Sequence, residues 1–395
     1  MIHSLVQSSR TIQFLKPRWA IPLILAAIGL ALLIRWSLFG FVSRDYSFFL
    51  KSWYETIRAA GGLKALAYPF SNYTPPYLYL LVLISNINFL QPMIAIKLLS
   101  TVFDVLAALV VYRILKLQFS GGLAPAAGAA VFLLAPTVII NSALWAQCDV
   151  IYTGFLLGFM FFALQDRPWL AMLCFAVAFS FKLQAIFITP FILILILRHK
   201  IPWYSLLLVP AVYLVMVVPA WLQGRPLMDL LQIYIAQMGD NPSHLLSLNA
   251  PNPYIFFTEN PPASATTIGI AIAFLVGLGL ALASWKFSGT VTKERLVIEA
   301  TLALTLMPFI LPKMHERYFF PAAAFMLLLV WFRPGYWWAA LLFQVTSYLS
   351  YLPFLFLGDR QTLPVMIGAV GNVVIVVALV VGYFRQPVPI LIRRQ

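Results

Sequence analysis

Apolar runs of roughly 20 residues, the length that crosses a bilayer, recur along the whole chain and leave no segment for a sizeable soluble domain. The first, Trp19 to Phe39, is too long for a signal-peptide core and has no small-residue cleavage site, so it is expected to remain as the first helix. Later runs predict spans at 93–116, 122–142, 147–164, 203–222, 266–285, 296–311, 318–332, 336–355 and 363–384. A short pair, 169–181 and 183–197, is expected to turn at Lys182. The fold class is therefore all-α: one polytopic membrane domain over residues 1–395 with about 11–12 transmembrane helices.

Two longer polar stretches interrupt this pattern. In the first, 42–75, Tyr46, Phe49, Trp53 and Ile57 share one helical face while Lys51, Glu55 and Arg58 share the other. That alternation predicts an amphipathic helix lying in the interface and ending at Gly61-Gly62, where the backbone is free to turn. The second stretch, 223–265, is rich in Pro, Asn and Ser and reads as an irregular loop.

Composition agrees with the pattern: 62% of residues are hydrophobic, only 10% are charged, and mean hydropathy is +0.92. The net charge of +14 suggests nucleic acid until its residues are placed. They cluster in short connections: Arg10, Lys16 and Arg18; Arg113 and Lys116; Arg198 to Lys200; Lys286, Lys293 and Arg295; Arg333; Arg385, Arg393 and Arg394. This is positive-inside bias toward anionic membrane lipid and gives no reason to expect a nucleic-acid partner. By parity the termini lie in the cytoplasm and loops 42–75 and 223–265 lie outside. Residues 75–90 then form a shallow or re-entrant outer segment. Cys148 and Cys174 sit in or beside apolar runs and are expected to be free thiols.

The scarce acids direct attention to candidate chemistry. Asp45 follows the first helix at the outer face, where a partly solvated carboxylate can accept a proton from a hydroxyl; taken alone, its position also suits an N-cap. Lys313, His315, Glu316 and Arg317 crowd a short turn that parity places on the same face, against the positive-inside trend, as an anion site would require. Trp145, Gln147 and Asp149 combine an aromatic face, an amide and an acid, a set that suits a sugar ring. Lys182 and Gln184 interrupt an apolar run, and an ionisable residue there is a functional candidate. Asp104, with Lys97 seven residues before it on roughly the same helix face, reads as a structural polar contact between helices.

These residues, in this order, resemble the GT-C superfamily of integral-membrane glycosyltransferases, and within it the mannosyltransferases related to the second enzyme of that kind in glycosylphosphatidylinositol assembly. The resemblance rests on Arg44-Asp45 with Phe49 and Trp53, Tyr73-Thr74-Pro75-Pro76, Lys97 with Asp104, Trp145 to Asp149, Lys182-Leu183-Gln184, Asn249 to Tyr254, and His315 to Tyr318. Two departures are Arg44 before a lone Asp45 where two close acids are more usual, the next acid, Glu55, lying on the far side of the interfacial helix, and Ala146 where glycine is more usual.

The resemblance implies a polyprenyl-phosphate sugar donor, a lipid or glycan acceptor, Asp45 as base, and His315 and Arg317 near the donor phosphate. The expected reaction is an inverting transfer of a hexose, mannose by resemblance, at the outer face. Lys313 and Lys182 would assist at the phosphate. Arg44, Tyr73, Trp145, Gln147, Asp149, Gln184, Asn249, Asn252 and Glu316 would contact sugar or acceptor. No cofactor and no metal is expected, since the cations can stabilise the leaving phosphate. The expected location is a bacterial plasma membrane, or the endoplasmic reticulum in a eukaryote. The alternative is a transporter or flippase for a lipid-linked or anionic substrate, for which paired repeats and midplane acids are the expected signature.

Overall fold

The structure is a computed structural model that describes residues 17–119, 122–239, 245–257, 262, 264–286, 291–357 and 362–385. Arg10, Lys16, Arg393 and Arg394 lie outside the described residues. The helices are α1 (Pro17–Leu38), α2 (Lys51–Ala59), α3 (Pro75–Ser85), α4 (Pro92–Gln118), α5 (Ala124–Leu134), α6 (Pro136–Ile139), α7 (Asp149–Ala163), α8 (Pro168–Phe181) and α9 (Thr189–Leu197). They continue with α10 (Leu208–Leu222), α11 (Leu227–Leu231), α12 (Ile233–Gly239), α13 (Ser264–Trp285), α14 (Lys293–Ile310), α15 (Phe320–Phe332), α16 (Trp337–Leu352) and α17 (Leu363–Phe384). Two short strands, β1 (Ser247–Leu248) and β2 (Met314–His315), pair in parallel.

The all-α, multi-pass architecture is as expected, but the span count is lower. Among the described residues six helical segments are long and apolar enough to cross a membrane, and a seventh counts if the bent pair 124–134 and 136–144 is taken as one. The bend, 52°, falls at Pro136, which cannot donate the helical hydrogen bond. Helices α3, α7 and α8 and the segment Leu183–Leu197 are apolar but shorter. At 1.5 Å rise per residue they fall short of the hydrocarbon core. Helices α7, α14 and α15 pack against other helices along most of their length and meet little lipid, so their length need not match the bilayer. By contrast α1, α13 and α17 expose apolar side chains such as Leu23, Leu33, Leu275 and Val370.

Polar contacts sort the helix ends into two sets. At one end Lys200 meets Asp166 at 2.7 Å, Arg198 and Arg295 both meet Glu299 at 2.7 Å, Arg333 meets Glu294 at 2.5 Å, and Lys293 donates to the Leu117 carbonyl. This is the basic end. Residues 43–47, 145–149, 181–184, 247–252 and 311–318 gather at the other.

Several local expectations need correction. A π-helical turn over Tyr46–Leu50 precedes α2 and shifts the phase of the helix face, so Phe49 is exposed while Tyr54 is buried beside Trp53 and Ile57. The turn at Gly61 and Gly62 does form, with φ of 79° and 80°. The stretch 223–265 is more regular than expected: 227–239 is apolar enough to form α11 and α12, and β1 pairs with β2.

The contact between helices expected at Asp104 forms, with Arg35 as its partner and not Lys97. Seven residues separate Lys97 from Asp104 by about 10 Å along α4, so each meets a different part of the antiparallel α1. Asp104 accepts from Arg35 Nε at 2.9 Å and from Ser142 at 2.5 Å. Lys97 donates to the carbonyls of Leu38, Phe39 and Phe41 at 3.2, 3.2 and 2.6 Å, closing the C-terminus of α1.

The fully buried Arg35–Asp104 pair generates a test. Asp104→Leu alone strands Arg35 in the bundle and is expected to cost about 3–5 kcal/mol of stability, whereas Arg35→Met with Asp104→Leu recovers most of that loss. Unfolding of the purified chain in detergent measures both.

Candidate functional site

The first helix delivers Asp45 to the end of the bundle opposite Lys200 and Arg333 through a fixed exit. Lys97 gathers the carbonyls at 38–41, and Ser43 then donates to the Trp145 carbonyl at 2.6 Å. Ser43 Oγ also accepts from Tyr46 N at 3.2 Å, so Ser43 caps the helix that follows. Asp45 makes no side-chain cap bond, which overturns the capping alternative and leaves its carboxylate to long-range partners.

Those partners come from two distant segments. Asp45 Oδ2 accepts from Trp145 Nε1 at 2.8 Å, from Gln147 Nε2, and from Arg317 Nη1 at 3.1 Å. The segment that supplies Trp145 and Gln147 is bent by Ala146, whose φ of 67° lies in the left-handed region that glycine occupies without strain. Ser100 Oγ on α4 donates to the Gln147 carbonyl at 2.8 Å and holds the bend from below.

A second charge pair lies alongside. Asp149, in the first turn of α7, pairs with Lys182 and accepts from Asn141 Nδ2 at 2.8 Å. Lys182 occupies the extended break between α8 and the following 3-10 turn, so its ammonium escapes the helix face and lies 5.3 Å above the Tyr73 ring. Tyr73 packs on Trp53 and Tyr77. Burial pushes its phenol above the ordinary range, and Lys182 and Arg317 pull the other way, so both cations act on this one ring.

The remaining predicted residues have varied places. Arg317 lies over the Trp145 ring at 5.8 Å, with its Nη1 3.8 Å from Glu316. Glu316 is buried, and its Oε1 has no hydrogen-bond partner. His315 stacks edge-on against Tyr318, with Nδ1 3.8 Å from Glu316, and its backbone bridges to Asn249. Lys313 enters through its backbone, at φ 60° and donating to Leu246 O at 2.6 Å. Arg44 stacks on Phe354 at 5.5 Å. Gln184 is buried with Oε1 unpartnered.

Two assigned roles change. Trp145 is fully buried, stacked on Phe354 and edge-on to Tyr351, so its ring is a wall of the site rather than an open platform for a sugar. Asn252 is also fully buried and donates to the carbonyls of Pro308 and Leu311 at 3.2 and 3.3 Å, bracing the end of α14. Sequence reasoning missed Ser43, Ser100, Asn141 and Tyr351. Asn141, a polar residue inside an apolar run, carried a usable signal.

Among the described residues no three His, Cys, Asp or Glu side chains come together to hold a metal ion. Cys148 and Cys174 are free. An apolar groove of about 430 Å³ between α4, α7 and α8, bordered by Arg113, has no acid on its wall and is separate from this cluster.

The strained bend at Ala146 is directly testable. Ala146→Gly is expected to raise stability by roughly 1 kcal/mol, whereas Ala146→Val, β-branched at positive φ, lowers it and displaces Trp145 and Gln147 from Asp45. Denaturation of the two variants in detergent gives the comparison.

No protein-family model matches the chain, and no curated protein matches it.

Proposed function

We propose that the chain is an inverting glycosyltransferase that moves a hexose from a polyprenyl-phosphate sugar to a hydroxyl of a lipid or glycan acceptor. The observation that carries this reading is the convergence of Asp45, Arg317, Asp149 and Lys182, from four distant segments, at one end of an apolar bundle. Carboxylates and cations together fit a reaction in which a hydroxyl loses a proton while a phosphate departs. The opposite end carries most of the described basic residues, and positive-inside bias supports placing the site at the outer face of a bacterial plasma membrane or its luminal equivalent.

In this reaction Asp45 takes the proton of the acceptor hydroxyl as its oxygen attacks the anomeric carbon. The bond from that carbon to the phosphate oxygen breaks, and the electron pair leaves on the phosphate. Arg317 and Lys182 stabilise the departing anion, with His315 at the rim. Tyr73, Gln184, Glu316 and the Asn249 turn border the acceptor side. Mannose is the preferred sugar, on the resemblance alone.

Transfer of labelled sugar from a panel of polyprenyl-phosphate hexoses to membrane lipid tests the reading, with purified protein in EDTA. Wild type is expected to form product, and Asp45→Asn to lose about 10²–10⁴-fold in rate. Arg317→Ala is expected to lose about 10²–10³-fold. Undiminished transfer by Asp45→Asn removes Asp45 as the base, and no transfer from any donor by folded wild type removes the reading.

A further inference from the structure

A general base needs an open acceptor position on the oxygen that takes the proton. Asp45 is in the opposite condition. Trp145, Gln147 and Arg317 all donate to the same oxygen, Oδ2, and the site lies at the end of an apolar bundle where solvent screens poorly. Three donors already fill the acceptor positions of Oδ2, and that oxygen has none left for a substrate hydroxyl until one donor leaves.

Arg317 is the one donor of the three that carries a charge, and its hydrogen bonds are used unevenly. Asp45, at 3.1 Å, and Glu316, at 3.8 Å, both approach Nη1. Nε is buried and has no partner. A guanidinium binds phosphate through adjacent N–H groups, and an Nε left dry and unpaired costs free energy until an oxygen reaches it. Lys182, by contrast, keeps its pair with Asp149 while its other N–H groups remain for the phosphate.

We propose that Arg317 is a cation shared in turn: it occupies Asp45 Oδ2 before a phosphate binds and is handed to the donor phosphate on binding, which frees that oxygen to act as the base. This rests on the transferase reading and deepens it, because proton abstraction is then available only when a phosphate is in place. Asp45 and the phosphate compete for one guanidinium, so each weakens the other's hold. The ligand chemistry is a phosphate ester anion, and its source is the polyprenyl phosphate.

The competition makes a prediction opposite to that for an ordinary binding residue. The full chain, in phosphatidylcholine nanodiscs, is titrated with undecaprenyl phosphate, with inorganic phosphate and with phosphatidylglycerol. Removing the carboxylate charge in Asp45→Asn is expected to tighten undecaprenyl phosphate binding roughly tenfold, the effect of one charge-assisted hydrogen bond. Asp45→Asn keeps an acceptor for Trp145 and Gln147, and Asp45→Ser serves as a second variant if it does not fold. In an Arg317→Gln background the tightening is expected to vanish, which a merely structural Asp45 does not predict.

Unchanged or weaker binding by a folded Asp45 variant, with wild type binding, overturns the shared cation and leaves the transferase reading standing. Absence of undecaprenyl phosphate binding by folded wild type and variant overturns both. Equal tightening toward inorganic phosphate supports the hand-over and assigns it to the phosphate group alone. Equal tightening toward phosphatidylglycerol supports it and moves the source to bulk lipid headgroups.

Discussion

A charge inside an apolar bundle has to meet its opposite, and this chain has few acids with which to do so. Asp45, Asp104, Asp149 and Glu299 are all buried, and each is met by a cation from another segment or from the next turn of its own helix: Arg317, Arg35, Lys182, and Arg198 with Arg295. Each contact fastens elements that apolar packing alone would leave free to slide, because lipid is as apolar as a leucine side chain and gives no preference for one register. The Arg35–Asp104 pair sets α1 against α4, and Glu299 ties α14 to the end of α9.

The same constraint gives the candidate site its character. The pairs at Asp104 and Glu299 lie on helix faces deep in the bundle or at the basic end. The pairs at Asp45 and Asp149 stand where regular structure is interrupted: at the exit of α1, at the strained bend of Ala146, and at the extended break of Lys182. Irregular backbone at membrane depth is tolerated where protein buries it or where it lines a cavity, and here it brings three charged groups, Lys182, Arg317 and Asp149, within reach of one tyrosine, Tyr73.

Local features of this arrangement were legible in the sequence, and long-range ones were not. The apolar runs, the polar loop after the first helix and its stop at Gly61-Gly62 follow from periodicity and backbone freedom. Asp45, Trp145, Gln147, Lys182 and Arg317 stood out because polar groups are rare in such a chain. Their pairings were hidden: 272 residues separate Asp45 from Arg317, and no local pattern reports such a contact. The misreadings share that cause. Asp104 reads as a contact between helices, and the structure has one, but no spacing names Arg35 as the partner in place of Lys97; Trp145 reads as a sugar platform although Phe354 and Tyr351 cover it. The exposed Phe49 has another origin, a π-helical turn that no side-chain spacing announces.

Asp45 and Arg317 meet as one ion pair across 272 residues of chain, and the strength of that pair can be measured. A double-mutant cycle tests it most directly: the unfolding free energies in detergent of wild type, Asp45→Asn, Arg317→Gln and the double variant. Such a pair predicts that the two single losses fail to add, with a coupling of about 1–3 kcal/mol. Losses that add to within about 0.5 kcal/mol would show the two side chains to be independent and would contradict the account.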